Sequence, residues 1–107
     1  MKKGLKENQI LVVIKEPGKA PYVDPLFENT LEAFQLGVGG YIECVGIGPD
    51  LVMILNEEGK LRGLPFNFSY GLDDIVGTVI VCRVAGEEFA SLKSYMVPMV
   101  LQLLRRD

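Results

Sequence analysis

Long apolar runs alternate with polar segments along this chain, and their order predicts a sheet. Residues 9–16 are rich in β-branched side chains and nearly continuous in apolar ones, which is typical of a central strand covered on both faces. Residues 41–47 and 51–55 are two further strand-like runs. Gly48-Pro49-Asp50 separates them, which predicts an antiparallel hairpin. Residues 78–84 form the last strong strand.

Two segments have the pattern of helices. In the first, Asn29 is placed to cap the N-terminus with Glu32 at the third helical position, and Gly39 or Gly40 ends the helix. Its apolar stripe consists of Leu31, Phe34 and Val38. The second helix runs from Ser91 to about residue 105, with a kink or restart that places Pro98 in a first turn.

The remaining segments are predicted to connect these elements. Residues 19–25 contain two prolines and should run extended over the surface as a connector. Residues 56–59 form a turn with Gly59 at positive φ, residues 60–65 a short edge strand, and residues 66–71 an aromatic loop. The fold class is therefore α+β, with a small mixed or antiparallel sheet of four to five strands and two helices. We expect one domain over residues 1–107, with residues 1–8 as a flexible tail.

Charge is distributed unevenly. The chain has 14 acidic and 11 basic residues, but residues 7–104 hold 13 acids and only 6 bases, an excess of seven negative charges. A nucleic-acid surface needs clustered lysine and arginine, so we expect no nucleic-acid partner. The apolar runs are too short for a membrane helix or a signal peptide, so we expect no membrane partner and a cytoplasmic location.

The composition also limits the chemistry. There is no histidine, which excludes Ser-His or Cys-His nucleophile pairs and histidine-based metal sites. Cys44 and Cys82 lie in apolar runs, and we interpret both as small buried hydrophobic residues in a reducing compartment. We predict neither a metal ion nor another cofactor.

Several short blocks occur together in a recognisable order. They are Gly39-Gly40-Tyr41-Ile42-Glu43, Asn56-Glu57-Glu58-Gly59-Lys60, Leu64-Pro65-Phe66-Asn67 and Ile75-Val76-Gly77-Thr78-Val79, preceded by Glu16-Pro17-Gly18-Lys19. Over residues 10–92 the chain resembles DUF3846, a bacterial and phage family known only as a domain of unknown function. The C-terminal segment is more apolar than the family pattern. The resemblance implies a small intracellular protein, often linked to mobile elements, and it implies no activity, cofactor or catalytic residue.

The polar residues of these blocks are the candidate binding site. If the strands pair as predicted, Glu43 and Asn56 come from adjoining strands, and Asn67 approaches from the loop. Carboxylates and amides can hold a polar ligand, whereas asparagines in turns also bind the backbone. The full candidate set is Glu43, Asn56, Glu57, Glu58, Lys60 and Asn67.

Three functions are compatible with the sequence. The first is a binding or adaptor module that acts through protein contacts, which the apolar C-terminal helix and the lack of a catalytic set favour. The second is a carboxylate-using hydrolase, which needs two carboxylates held close together with one raised pKa. The third is an acidic inhibitor or DNA mimic. We rate an enzyme as less favoured than a binding protein, and we name no catalytic residue.

The C-terminal helix also predicts a homodimer. Between residues 96 and 104 only Gln102 is hydrophilic, so one sheet face does not cover all of the apolar side chains. A second copy would cover the rest. The alternative is a deep groove between the sheet and the first helix. The predicted interface residues are Met96, Val100, Leu101 and Leu104.

Overall fold

Strands dominate the computed structural model of the protein, which describes residues 8–105. The tail predicted for residues 1–8 lies outside the described residues except for Asn8. In chain order the elements are β1 (Gln9–Lys15), β2 (Tyr22–Glu28), α1 (Leu31–Val38), β3 (Ile42–Gly46), β4 (Leu51–Asn56), β5 (Phe66–Tyr70), β6 (Asp73–Val76), β7 (Val79–Ala85), β8 (Glu88–Ala90), a 3-10 turn (Ser94–Met96) and α2 (Val97–Leu104).

The main sheet has six strands, all paired antiparallel. Its order is β2-β1-β7-β4-β3, and β8 pairs with the end of β7. Strands β5 and β6 form a separate two-stranded sheet. The predicted α+β class and antiparallel sheet are confirmed, as are the central place of β1 and the β3–β4 hairpin. The predicted number of strands, four to five, is too low.

Strand β2 was predicted as a connector because of its prolines. It forms an outer strand, and its pairing with β1 shifts register between Val12, opposite Asp24, and Ile10, opposite Phe27. Pro25 lies in that irregular stretch. An edge strand tolerates proline there because the missing N–H is not needed by the ladder.

The segment after β4 also differs from the prediction. Residues 60–65 do not form an edge strand, because successive turns close through bonds such as Arg62 N to Glu58 O and Leu64 N to Gly59 O. Gly59 does not have positive φ, whereas Gly63 does, at 66°. The expected aromatic loop is strand β5, whose backbone pairs with β6.

Helix α1 begins one residue later than predicted. Thr30 is the N-cap, and its hydroxyl accepts a hydrogen bond from the Ala33 N–H at 3.1 Å. Asn29 instead donates its side-chain amide to the Phe89 carbonyl at 2.8 Å. Gly39 ends the helix at φ 82°, as predicted.

The main sheet is covered on both faces by different elements. Helix α1 packs on one face, where Phe34 contacts the rings of Phe27 and Phe89. The 3-10 turn, α2 and the β5–β6 sheet pack on the other, in the core that contains Phe68 and Val100. The predicted restart near Pro98 is confirmed, because α2 begins at Val97 with the proline in its first turn. Within residues 8–105, no helix has the length and apolar character needed to cross a membrane.

Candidate functional site

A groove of about 270 Å3 lies between the outer strand β3, the turn after β4 and strand β6. Val45, Leu55 and Ile75 contribute apolar side chains to its lining. Among the residues that the structure describes, its charged lining consists of four acids and one base, which are Glu43, Glu57, Asp73, Asp74 and Lys60. The groove therefore combines an apolar part with an excess of three negative charges.

Lys60 neutralises only one of these acids. Its ammonium lies 2.6 Å from Asp73 Oδ1, and the hydrogen bond and charge of Asp73 raise the pKa of Lys60. Both side chains are exposed, so the pair adds little stability. Among the described residues, no ion pair includes Glu43, Glu57 or Asp74. These three carboxylates give the groove its negative character.

Asn56 fixes the turn after β4, which forms one wall of the groove. It is buried, donates to the Val38 carbonyl at 3.1 Å, and accepts from the Glu58 N–H at 2.8 Å. Arg62 donates to the neighbouring Gly39 carbonyl at 3.1 Å. The two side chains satisfy carbonyls at the C-terminal end of α1 and hold the turn against it. The contacts of Asn56 are thus those of an asparagine that binds the backbone of a turn, which was the alternative to a ligand-binding role.

Asn67 does not join the groove. It is buried on β5, donates to the carbonyls of Lys15 and Gly77 at 2.9 and 2.7 Å, and accepts from the Lys15 ammonium at 2.8 Å. The β5–β6 sheet carries it to the end of β1, where it lines a different cavity. Glu58 also lies outside the groove lining, and its carboxylate is 3.6 Å from Arg62.

The structure thus brings together four of the six predicted site residues, Glu43, Asn56, Glu57 and Lys60. The prediction missed Asp73 and Asp74, which reach the groove because β6 folds back beside the turn. It also missed Lys15 in the second cavity. Lys15 follows Leu11 and Val13 at every second position and so shares their inward face, and that spacing was the available signal.

Three of the four predicted interface residues face the core of the chain itself. Met96, Val100 and Leu104 are buried against the main sheet, and Leu101 is half-buried beside them. The predicted alternative, a groove between the sheet and the first helix, is wrong in its second wall, because α1 packs on the opposite face of the sheet and the β5–β6 sheet lies beside α2 instead. Contact between α2 and a second copy would have to use other side chains, of which Met99 is the most exposed large one.

The two cysteines have different surroundings. Cys82 is fully buried, and burial raises the pKa of its thiol to about 12. Cys44 is exposed, which corrects the prediction that both are buried. The reason is that β3 is an outer strand. Across residues 8–105, no three carboxylate or thiol groups come close enough together to hold a metal ion.

Comparison with known proteins gave one result. A family model described as Domain of unknown function (DUF3846) matches residues 9–105, which includes helix α2. The family pattern therefore extends beyond residue 92, where the resemblance ended. Searches of curated proteins and of solved structures gave no significant match.

Proposed function

We propose a function from the premise that this chain belongs to the DUF3846 family: it is a binding module that holds an extended, basic segment of another protein along the outer edge of β3. The observation that carries the proposal is the open edge of β3 beside the acidic groove. Addition of a strand to a sheet edge is a common mode of peptide recognition.

The two outer strands of the sheet differ in how they are protected. Strand β2 has Pro25 and an irregular register, both of which discourage further pairing. Strand β3 has five regularly paired residues, contains neither proline nor lysine, and pairs only with β4 within residues 8–105. An edge of this kind favours pairing with another chain.

The register identifies the backbone groups available at this edge. Hydrogen bonds from Glu57 N to Tyr41 O and from Ile47 N to Leu51 O flank the β3–β4 ladder. Because antiparallel pairs alternate, Glu43 and Val45 direct their backbone groups toward β4. The N–H and C=O groups of Ile42, Cys44 and Gly46 therefore point outward, where an added strand would bind them.

Charge favours a basic partner. Glu43 and Val45 project toward the groove, so alternate side chains of an added strand would lie above it. Lysine or arginine at those positions would meet Glu43, Glu57 and Asp74. A second copy of this chain would instead bring a second acidic groove, so pairing of two β3 edges is disfavoured.

Self-association through α2 is a second candidate. It is supported by a shallow depression of about 660 Å3 on the outer face of the helix, lined by Met99, Gln102, Leu103 and Arg105. Sedimentation equilibrium tests it directly. A dimer that is broken by Met99→Glu with Leu103→Glu supports this interface, and a monomer at tens of micromolar rules it out.

The other functions have less support. All the acidic side chains of the groove are exposed, unlike the dry setting in which a carboxylic acid acts as a proton donor. For a DNA mimic, the remaining acids are spread over other elements, such as Asp24 on β2 and Glu88 on β8. We also propose that the binding module acts in the cytoplasm. The same proposal includes its association with mobile elements.

The edge is tested with a fluorescent peptide of alternating lysine and valine, read by anisotropy. Cys44→Pro removes an outward N–H without touching the β4 ladder, and Cys44→Ala is the matched control that keeps it. We expect the alanine variant to bind like the parent and the proline variant to lose binding. Equal binding by Cys44→Pro, or equal binding of a glutamate–valine peptide, would refute the proposal.

A separate double variant covers the case in which Cys44→Pro does not fold. Glu43→Lys with Asp74→Lys reverses the charge of the groove at two exposed positions and leaves the edge intact. We expect this protein to lose the basic peptide and to gain affinity for the acidic one. If this variant still preferred the basic peptide to the acidic one, the charge of the groove would not select the partner.

A further inference from the structure

The buried ammonium group of Lys15 has only neutral partners in the described chain. The residue is 7% exposed, and its Nζ donates to Asn67 Oδ1 at 2.8 Å and to the Glu16 carbonyl at 3.1 Å. No ion pair formed within residues 8–105 includes it. Buried charges are normally paired with an opposite charge, because removal from water is costly.

Asn67 fixes the position of this ammonium group. Its amide nitrogen donates to the carbonyls of Lys15 and Gly77, so its oxygen has to face the lysine. The amide thereby ties the end of β1 to the turn before β7 and leaves Lys15 little freedom. The cation is held in place before any ligand arrives.

A cavity of about 560 Å3 opens beside Lys15. Two further cations, Lys19 and Arg105, line it, and within residues 8–105 no acidic side chain does. Glu16 lies just outside and neutralises Lys19 at 3.2 Å. Counted over the described residues, the cavity therefore has three cations and one adjacent anion, an excess of two positive charges.

The uncharged lining of the cavity is partly apolar. The ring of Phe66 is 49% exposed, and Ala20 and Pro21 line the cavity with it. A volume of several hundred Å3 with apolar walls and a few fixed polar groups is typical of sites for small molecules. Phe66 offers a ring face against which a flat group can stack.

We propose that this cavity binds a small organic phosphate. The phosphate group binds Lys15 and Arg105, and the organic part lies against Phe66. A phosphate monoester carries nearly two negative charges at neutral pH, which matches the excess of two positive charges. The guanidinium of Arg105 can donate two parallel hydrogen bonds to phosphate oxygens. The site is independent of the β3 edge, so either proposal can fail alone.

Isothermal titration calorimetry with three probes tests the proposal. Adenosine 5′-monophosphate offers both groups, inorganic phosphate only the anion, and adenosine only the ring. We expect the monophosphate to bind most tightly, phosphate more weakly and adenosine not measurably. Binding of adenosine as tight as that of the monophosphate would overturn the phosphate assignment, and no binding of any probe at millimolar concentration would overturn the site.

Variants locate the binding. Lys15→Met keeps the length of the side chain and removes its charge, and we expect it to weaken monophosphate binding at least about tenfold. Arg105→Gln, at an exposed position, should weaken it by about threefold or more even if Lys15→Met fails to fold. Lys93→Gln removes an exposed charge outside the cavity and serves as the control. Equal losses in all three variants would show nonspecific attraction and defeat the proposal.

Discussion

Gly40 lies directly against the side-chain amide of Asn56. A Cβ atom added to Gly40 would come within 2.9 Å of Asn56 Nδ2, closer than such contacts occur. The amide cannot move away from this Cβ atom without losing hydrogen bonds, because it is buried and bonded to the Val38 carbonyl and the Glu58 N–H. This contact joins the end of α1 to the turn that forms one wall of the acidic groove.

Gly40→Ala is therefore expected to reduce the free energy of unfolding by about 1–3 kcal/mol, through loss of a buried hydrogen bond. Urea denaturation measures the change. Gly46→Ala is the matched control, since nothing lies within 4 Å of its Cβ position and its φ is not positive. In an Asn56→Ala background the same Gly40 substitution should cost much less, and an equal cost would contradict the proposed contact.

Asn67→Ala is expected to reduce the free energy of unfolding by about 2–4 kcal/mol. The substitution leaves the carbonyls of Lys15 and Gly77 and the Lys15 ammonium without a buried partner. Thermal and urea denaturation measure the loss. Ser69→Ala, on the same strand, removes only an exposed hydrogen bond to Asp74 at 3.3 Å and should change stability by less than about 0.5 kcal/mol. Similar losses for both variants would refute the structural role of Asn67.

Local sequence patterns predicted the strong strands but not the weak ones. Strands β1, β4 and β7 are long apolar runs that fit only a buried sheet. Strand β2 was missed because Pro21 and Pro25 are common in connectors, and its pairing depends on β1 as a template. Strand β5 was missed for a similar reason, because its partner β6 follows a tight turn at Gly71, with φ 62°.

The candidate site was predictable only where it follows from neighbouring strands. Glu43 and Asn56 come from adjoining strands, as predicted, but the register pairs Glu43 with Leu55 and Asn56 with Ile42, so their side chains lie on opposite faces of the hairpin. The position of Asn67 depends on where the β5–β6 sheet packs, which no local pattern specifies. Lys15 shows the same limit, since its position two residues after Val13 indicates an inward side chain but not the cavity beside it.

Stability should fall at alkaline pH because of Cys82. Burial, with a smaller effect of Cys44, raises its pKa from 9.0 to about 12 in the folded chain. Between these values unfolded molecules lose the thiol proton while folded molecules keep it. The contribution of the Cys82 thiol to the free energy of unfolding is thus complete below pH 9. It decreases by about 1.4 kcal/mol per pH unit as pH rises toward 12.

Cys82→Ala isolates this contribution from other groups that titrate in the same range. The alanine variant should be less stable than the parent near neutral pH because it loses buried contacts. The difference in unfolding free energy between the two proteins should then shrink from pH 9 upward. A difference that stays constant to pH 11 would show that the Cys82 thiol titrates normally in the folded chain.

Leu104 anchors α2 within its own chain. The side chain is fully buried in the core between α2 and the main sheet. Leu104→Ala should therefore cost about 2–5 kcal/mol of unfolding free energy by leaving a cavity. Met99→Ala, on the exposed face of the same helix, should cost less than about 1 kcal/mol. Because Leu104 contacts its own sheet, the decrease in unfolding free energy caused by Leu104→Ala should not depend on protein concentration. A decrease that became larger on dilution would instead place Leu104 between two copies of the chain.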